Sequence, residues 1–234
     1  MASRNFSEYD DRREALATYF DSTARQAWID LTSDTKVSGI RATVRAGRDA
    51  MRANLMGWLP TDLRRTKLLD AGCGTGSLAV AAACRGAEVT GIDVAAGLVE
   101  VARERTPSFI GHGRIHWCSG DMLDPSLGTF AHVVAMDSLI HYQPDDLVDA
   151  LSQLAQRTTK SILFTFAPRT RLLTAMHEVG KFFPKSDRSP AIVPTAESDL
   201  RERLSHLSGW SIGRTQRIKS GFYTSQALEL VRHG

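Results

Sequence analysis

Three cysteines, Cys73, Cys84 and Cys118, are too few and too scattered for a disulfide framework, and none forms the CxxC pair of a structural zinc site. Two of them sit in core-like segments, so a reducing cytosol is the expected setting. A charge of one sign is also missing. The 29 basic and 26 acidic residues leave a net charge of +3, too little by itself to suggest nucleic acid. No apolar run reaches the roughly 18 residues that a membrane-crossing helix requires. The opening MASRNFSEYDDRR lacks the apolar stretch of a secretory signal. The expectation is a cytoplasmic protein whose contact with any membrane is peripheral. Internal repeats and low-complexity tracts are absent too. With 234 residues, 42% hydrophobic and 24% charged, the chain reads as one globular domain with room for elaborations.

What is present is alternation. Lys67-Leu68-Leu69 reads as a short buried strand and Ser77 to Ala83 as a helix, with Asp70-Ala71-Gly72-Cys73-Gly74-Thr75-Gly76 between them. Glycines at such a turn permit positive φ and a close approach of ligand to backbone, and the helix start offers free N–H groups. Glu88 to Asp93 is a second strand, followed by a helix from about Ala95 to Arg105. Ile115 to Cys118 is a third, ending at Gly120-Asp121, and Ala131 to Asp137 is a fourth. Pro144, with Asp145 and Asp146 in the first turn, opens a helix whose buried stripe is Leu147, Leu151 and Leu154. Lys160 to Phe166 is the fifth strand. The pattern predicts an open, mostly parallel sheet wrapped by helices.

The end of the chain differs. After a helix predicted from Ala196 to Leu207, two strand-like runs, Trp210 to Lys219 and Thr224 to Val231, are joined closely enough for an antiparallel hairpin. A parallel sheet with this ending resembles the class I fold of S-adenosylmethionine-dependent methyltransferases. That fold is α/β and Rossmann-like, with seven mostly parallel strands and an antiparallel C-terminal hairpin. Residues 66–234 form the expected donor-binding core. Residues 1–65 read as a helical N-terminal arm or lid, with Tyr19, Phe20 and Trp28 on a first helix and a second from about Ile40 to Leu59. Residues 168–195 form a cap insertion after the fifth strand, rich in Arg, Lys, Phe and Pro.

The glycine loop admits two ligands. Gly74-Thr75-Gly76-Ser77-Leu78-Ala79 fits the dinucleotide pattern G-x-G-x-x-A, with Asp93 following at about the right distance. Under the methyltransferase resemblance, Gly72, Gly74 and Gly76 accommodate the methionyl portion of the methyl donor and Asp70 lies near its ammonium. Asp93 accepts both ribose hydroxyls with either ligand. Asp121, after the third strand, is where that resemblance puts the adenine amino group, and it favours the methyl donor. Val94, Met122 and Met136 complete the candidate donor-binding set.

Other stretches carry a narrower likeness: Tyr19-Phe20-Asp21-Ser22-Thr23 with Trp28, Leu139-Ile140-His141-Tyr142, Phe164-Thr165-Phe166-Ala167-Pro168, Phe182-Phe183-Pro184 and Ser220-Gly221-Phe222-Tyr223. Together with the glycine loop they resemble the magnesium-protoporphyrin IX O-methyltransferase family in its photosynthetic-bacterial form, which esterifies one porphyrin propionate in (bacterio)chlorophyll synthesis. The clearest departure is Gln143, where plant and cyanobacterial relatives are expected to carry proline; Pro144 starts the helix one residue later. The resemblance implies S-adenosylmethionine as co-substrate and Mg-protoporphyrin IX as acceptor. It implies no protein-bound metal, since magnesium arrives inside the substrate. It also implies a contact with magnesium chelatase and a peripheral position at the photosynthetic membrane.

The chemistry agrees with that expectation. A propionate is ionised at neutral pH and needs no strong base. Catalysis then rests on proximity and orientation, which suits a sequence without an obvious triad or metal cluster. His141 is expected beside the methyl group, orienting the propionate, with capping of the Pro144 helix as its structural alternative. Tyr19 is expected to close over the donor, or else to be one more buried aromatic. Leu172, Leu173, Met176, Phe182 and Phe183 would supply an apolar wall for the flat macrocycle, unless they are core. Arg41, Arg45, Arg48 and Arg52 recur at helical spacing, as a solvated face or as a contact for anionic lipid or a second propionate. Two alternatives stay open: a methyltransferase for another carboxylate, and a donor-binding porphyrin carrier without catalysis.

Overall fold

The computed structural model describes residues 6–33, 39–169 and 192–233. One seven-stranded sheet runs through the molecule in the order β3-β2-β1-β4-β5-β7-β6. The strands β1 (Lys67–Ala71), β2 (Glu88–Asp93), β3 (Arg114–Ser119), β4 (Phe130–Ala135) and β5 (Thr158–Phe166) pair in parallel. Parallel neighbours need crossovers. Among the described residues these include the helices α4 (Ser77–Cys84), α5 (Ala96–Glu104) and α6 (Pro144–Gln156). The strands β6 (Trp210–Ser220) and β7 (Tyr223–Arg232) form the antiparallel hairpin, with Gly221 at φ 54° in its turn. Strand order reverses between β1 and β4, the switch point where open α/β sheets bind ligands.

Side-chain alternation along the strands splits the core into two apolar clusters. On one face Leu68, Val134 and Leu163 pack with Met51 and Leu55 of α3 (Gly39–Trp58). On the other, Leu69, Val133 and Phe164 meet Leu147, Leu151 and Leu154 of α6 and Leu200 of α7 (Glu197–Leu204). The segment read as an arm therefore contains two things: α3 is part of the layer that covers the sheet, and the residues before it reach over the site.

Three expectations need correction. The first helix is not continuous through Trp28. It is α1 (Phe6–Thr18), a π-helical turn over Tyr19–Thr23, and α2 (Arg25–Leu31). Within the wide turn, Asp21 faces the start of α5 and accepts from the N–H groups of Ala96 and Gly97 at 3.1 and 2.7 Å. The fourth strand stops at Ala135, because Asp137 has φ 54° and donates its N–H to Thr165 Oγ instead of to a ladder. The helix expected from Ala196 to Leu207 spans Glu197–Leu204. The proposed macrocycle wall, Leu172, Leu173, Met176, Phe182 and Phe183, lies outside the described residues.

Candidate active site

The glycine loop leaves β1 with Gly72, Gly74 and Gly76 at φ 81°, 52° and 84°, a region that side-chain-bearing residues seldom adopt. Space matters as well. A Cβ on Gly72 would stand 2.2 Å from the Ser138 Cβ, and one on Gly76 would stand 2.5 Å from the Trp117 ring. The loop is held by Asp93, whose two oxygens accept from Gly74 N–H at 2.8 Å and Ala95 N–H at 3.0 Å. Burial pushes the Asp93 carboxyl up, against those N–H groups.

Asp70, at the end of the same strand, is 2% exposed, and its Oδ2 has no partner. Burial raises this carboxyl to about 7, opposed by the Ala79 N–H and assisted by the charge of Asp93. A buried carboxyl with an open oxygen is costly unless a cation meets it. The pair thus offers one group for an ammonium and one for hydroxyl donors, which is the polar pattern of an aminoacyl nucleoside.

Both acids line one cavity of about 420 Å³, together with Gly72, Gly74, Val94, Met122, Met136 and His141. The structure brings these eight sequence-predicted residues together. It does not bring the remaining three to the cavity wall. Gly76 caps α4 behind the wall, against Trp117. Asp121 is occupied elsewhere: Oδ1 accepts from Leu123 N–H and the Tyr9 hydroxyl, both at 2.8 Å, and Oδ2 accepts from Arg13 at 2.8 Å. Its neighbours Gly120 and Met122 face the cavity. Tyr19 meets Phe20 edge-on, with ring centroids 5.2 Å apart, and Phe20 is the one on the wall.

The roof comes from residues to which the sequence reading gave no site role. Leu16, Phe20 and Trp28 line the cavity from above. The Phe20 ring lies 5.5 Å from Trp28 and 6.1 Å from His141, so one aromatic row joins the roof to the residue expected beside the methyl group. Polar contacts fasten this roof. Arg12 donates to the His141 carbonyl at 2.8 Å, and Arg105 donates to the Ile29 carbonyl at 3.0 Å and to the Thr32 hydroxyl at 3.0 Å. On the far side Asp137, Ser138 and Arg48 complete the wall. The signal available in sequence is the stretch Tyr19-Phe20-Asp21-Ser22-Thr23 with Trp28, which carries the family likeness and to which no role beyond Tyr19 is assigned. Among the described residues no three His, Cys, Asp or Glu side chains converge as a metal site.

Known proteins resemble this chain along nearly its full length. A family model described as magnesium-protoporphyrin IX methyltransferase C-terminus matches residues 135–232, and a methyltransferase domain model matches residues 68–161. Magnesium-protoporphyrin O-methyltransferase of Rhodobacter capsulatus is 44% identical over 224 residues, covering 95% of this chain and 98% of that one. The protein of the same name from Synechocystis is 30% identical, covering 95% and 97%. A crystal structure of magnesium protoporphyrin IX methyltransferase from Synechocystis with bound SAH superposes with a TM-score of 0.79 at 29% identity, covering 94% of this chain and 99% of that one.

Proposed function

The chain belongs to the magnesium-protoporphyrin O-methyltransferase family, and from that premise we infer that it moves a methyl group from S-adenosylmethionine to a propionate carboxylate of Mg-protoporphyrin IX. The product is the monomethyl ester, on the route to chlorophyll or bacteriochlorophyll. One observation of the geometry carries this reading. A single cavity is lined by Asp70, Asp93 and His141 under an aromatic roof, so donor-binding and acceptor-facing groups share one space.

Transfer exchanges a carbon–sulfur bond for a carbon–oxygen bond, and an ionised carboxylate gives up no proton in the step. The chain's residues therefore need to bind, orient and exclude water. Asp70 takes the donor's ammonium and Asp93 its ribose hydroxyls, while the glycine backbone, Val94, Met122 and Met136 enclose the rest. His141 orients the acceptor carboxylate, with Phe20 against its ring, and Tyr19 acts by supporting Phe20. Residues 6–33 serve as the lid. Magnesium enters as part of the substrate.

The partners follow the same reading. A contact with magnesium chelatase rests on the family resemblance alone. For a peripheral membrane contact, Ile40 of α3 and Phe222 of the turn between β6 and β7 are each more than half exposed, and the Phe222 N–H faces the Thr43 hydroxyl of α3. Among the described residues no helix is long and apolar enough to cross a membrane.

The deciding experiment measures ester formation from magnesium-loaded and metal-free protoporphyrin, with His141→Ala and His141→Gln beside the unaltered protein. Faster esterification of the magnesium form is expected. Donor binding without any ester would turn the protein into a carrier, or into an enzyme for another acceptor. His141→Ala should lower kcat and leave the affinity for the demethylated donor unchanged, with His141→Gln retaining part of the rate. A general-base role predicts both variants equally inactive.

A further inference from the structure

Three of the four arginines spaced along α3 have different partners. Arg45 donates to the Leu31 carbonyl at 2.8 Å, and Arg52 pairs with Asp49 at 2.9 Å near the surface. Arg48 turns inward. Its side chain is 19% exposed, one of its N–H groups lies 2.7 Å from Asp137 Oδ2, and its guanidinium carbon stands 4.5 Å from the Trp28 ring centre. Asp137 is 4% exposed and collects further donors. The Tyr223 hydroxyl lies 3.1 Å from both oxygens, and Thr165 and Ser225 donate at 3.1 and 3.2 Å. Gly47 makes this approach possible, since a Cβ there would meet the Tyr223 ring at 2.4 Å.

We infer that Arg48 is a carboxylate receptor in this cavity and that Asp137, seated on Tyr223, Ser225 and Thr165, is the residue that aims it. A buried ion pair gives little net stability compared with an apolar pair of the same size, so stability alone does not account for the arrangement. A guanidinium has five N–H donors, and among the described residues Asp137 is the acceptor that meets one of them. The group lines the same cavity as Gly72 and Asp70. Its plane is fixed twice, by Asp137 and by Trp28, which leaves a rigid fork beside empty space. A planar fork of paired donors matches the two oxygens of a carboxylate, whereas an ammonium would present a point charge. The reaction inferred above brings two carboxylates here, the α-carboxylate of the donor and the propionate of the acceptor. The identity of these two sources rests on that reading; the receptor itself does not.

Calorimetry and steady-state kinetics separate the sources. Arg48→Met alone would strand the buried Asp137, so the informative protein is Arg48→Met with Asp137→Asn, which removes both charges. If the donor's carboxylate is bound, affinity for S-adenosylhomocysteine falls about tenfold or more, while 5′-methylthioadenosine, which lacks that carboxylate, binds as before. If the propionate is bound, S-adenosylhomocysteine is unaffected and the KM for Mg-protoporphyrin rises by about the same factor. Arg48→Lys should recover part of whichever parameter moved, and Tyr223→Phe should shift that parameter alone by a smaller factor. Unchanged affinity and KM in a folded double variant overturn the receptor, as does an equal loss for both nucleosides, which would mean a collapsed pocket. A wild-type protein that makes no ester, with the donor arm responding, sinks the reaction and leaves the receptor standing. Ester formation with neither arm responding sinks the receptor and leaves the reaction.

Discussion

The floor of the cavity is one short loop, Asp70 to Gly76, whose conformation follows from its own residues and the strands beneath it. The roof is Leu16, Phe20 and Trp28, brought over the sheet by contacts between residues far apart in the chain. Tyr9 reaches Asp121 across 112 positions, Asp21 reaches Gly97 across 76, and Arg105 reaches Thr32 across 73. These contacts are half-exposed and polar, each worth about 1 kcal/mol or less. Leu16 is buried in α1, and α2 has no buried residue. The floor by contrast stands on strands whose Leu68, Leu69 and Ala71 are fully buried. Opening the roof should thus cost less than disturbing the floor, the asymmetry that the proposed lid requires if a large flat acceptor is to enter while the donor site keeps its shape.

The largest effect is expected on the floor. Gly72→Ala combines a positive φ with an overlap at Ser138, and should cost about 2–4 kcal/mol of stability. It should also take S-adenosylhomocysteine binding below calorimetric detection. Gly57→Ala is the control: that glycine is within α3 with nothing inside 4 Å of its added Cβ, so stability should hold or rise slightly. Near-normal donor binding in a folded Gly72→Ala protein would mean that the roof, not the floor, holds the donor.

The same division governs what could be read in advance. The parallel strands, the terminal hairpin and the Pro144 helix follow local rules of apolar runs and turn signals, as do Gly72, Gly74 and Asp93, whereas Asp70, Val94, Met122, Met136 and His141 came with the family resemblance. The roof follows none of these rules. Nothing near Asp21 in sequence announces that its partners are backbone N–H groups of Ala96 and Gly97, so a broken helix was read as a whole one. Likewise Asp137 looked like the last residue of a strand, because Arg48, Tyr223 and Ser225 come to it from distant elements. Arg45, Arg48 and Arg52, alike in the sequence as members of one stripe, are separated by their different partners. Asp121 was placed at the adenine by the resemblance, and its bonds to Tyr9 and Arg13 come from a segment more than a hundred residues away that no local signal announces.

A second test titrates the floor. With its carboxyl raised to about 7, Asp70 is partly protonated in the free protein at neutral pH. An ammonium requires the ionised form, so below about pH 7 binding must expel a proton. Affinity for S-adenosylhomocysteine should then fall by up to about tenfold per unit as pH drops below 7, and level off above it. The sign for folding is opposite. A raised carboxyl favours the protonated native state, so this contribution to ligand-free stability is present at low pH and is lost as pH rises through about 7. Calorimetry in buffers of different ionisation heat reads the proton directly. Asp70→Asn should abolish the pH slope, and a slope that survives the substitution assigns it to another group.

The smallest effect belongs to the roof, and it sharpens the contrast most. Asp21 caps α5 from another part of the chain, placing a negative charge at the positive end of a nine-residue helix. Asp21→Ala should remove about 1 kcal/mol, seen as a small drop in melting temperature with little change in donor affinity. Its larger signature is in the open population. Limited proteolysis between Tyr19 and Trp28 should be slowed by S-adenosylhomocysteine in the unaltered protein, because a filled cavity favours the closed roof. In Asp21→Ala cleavage should speed up and the ligand's protection should shrink, while Asp21→Asn, which keeps an acceptor oxygen, should fall between. Cleavage at one rate with and without ligand would show a roof that does not respond to the floor. Accelerated cleavage with protection fully retained would put Asp21 in the stability of α5 alone, leaving closure to the Asp121 and Arg105 contacts.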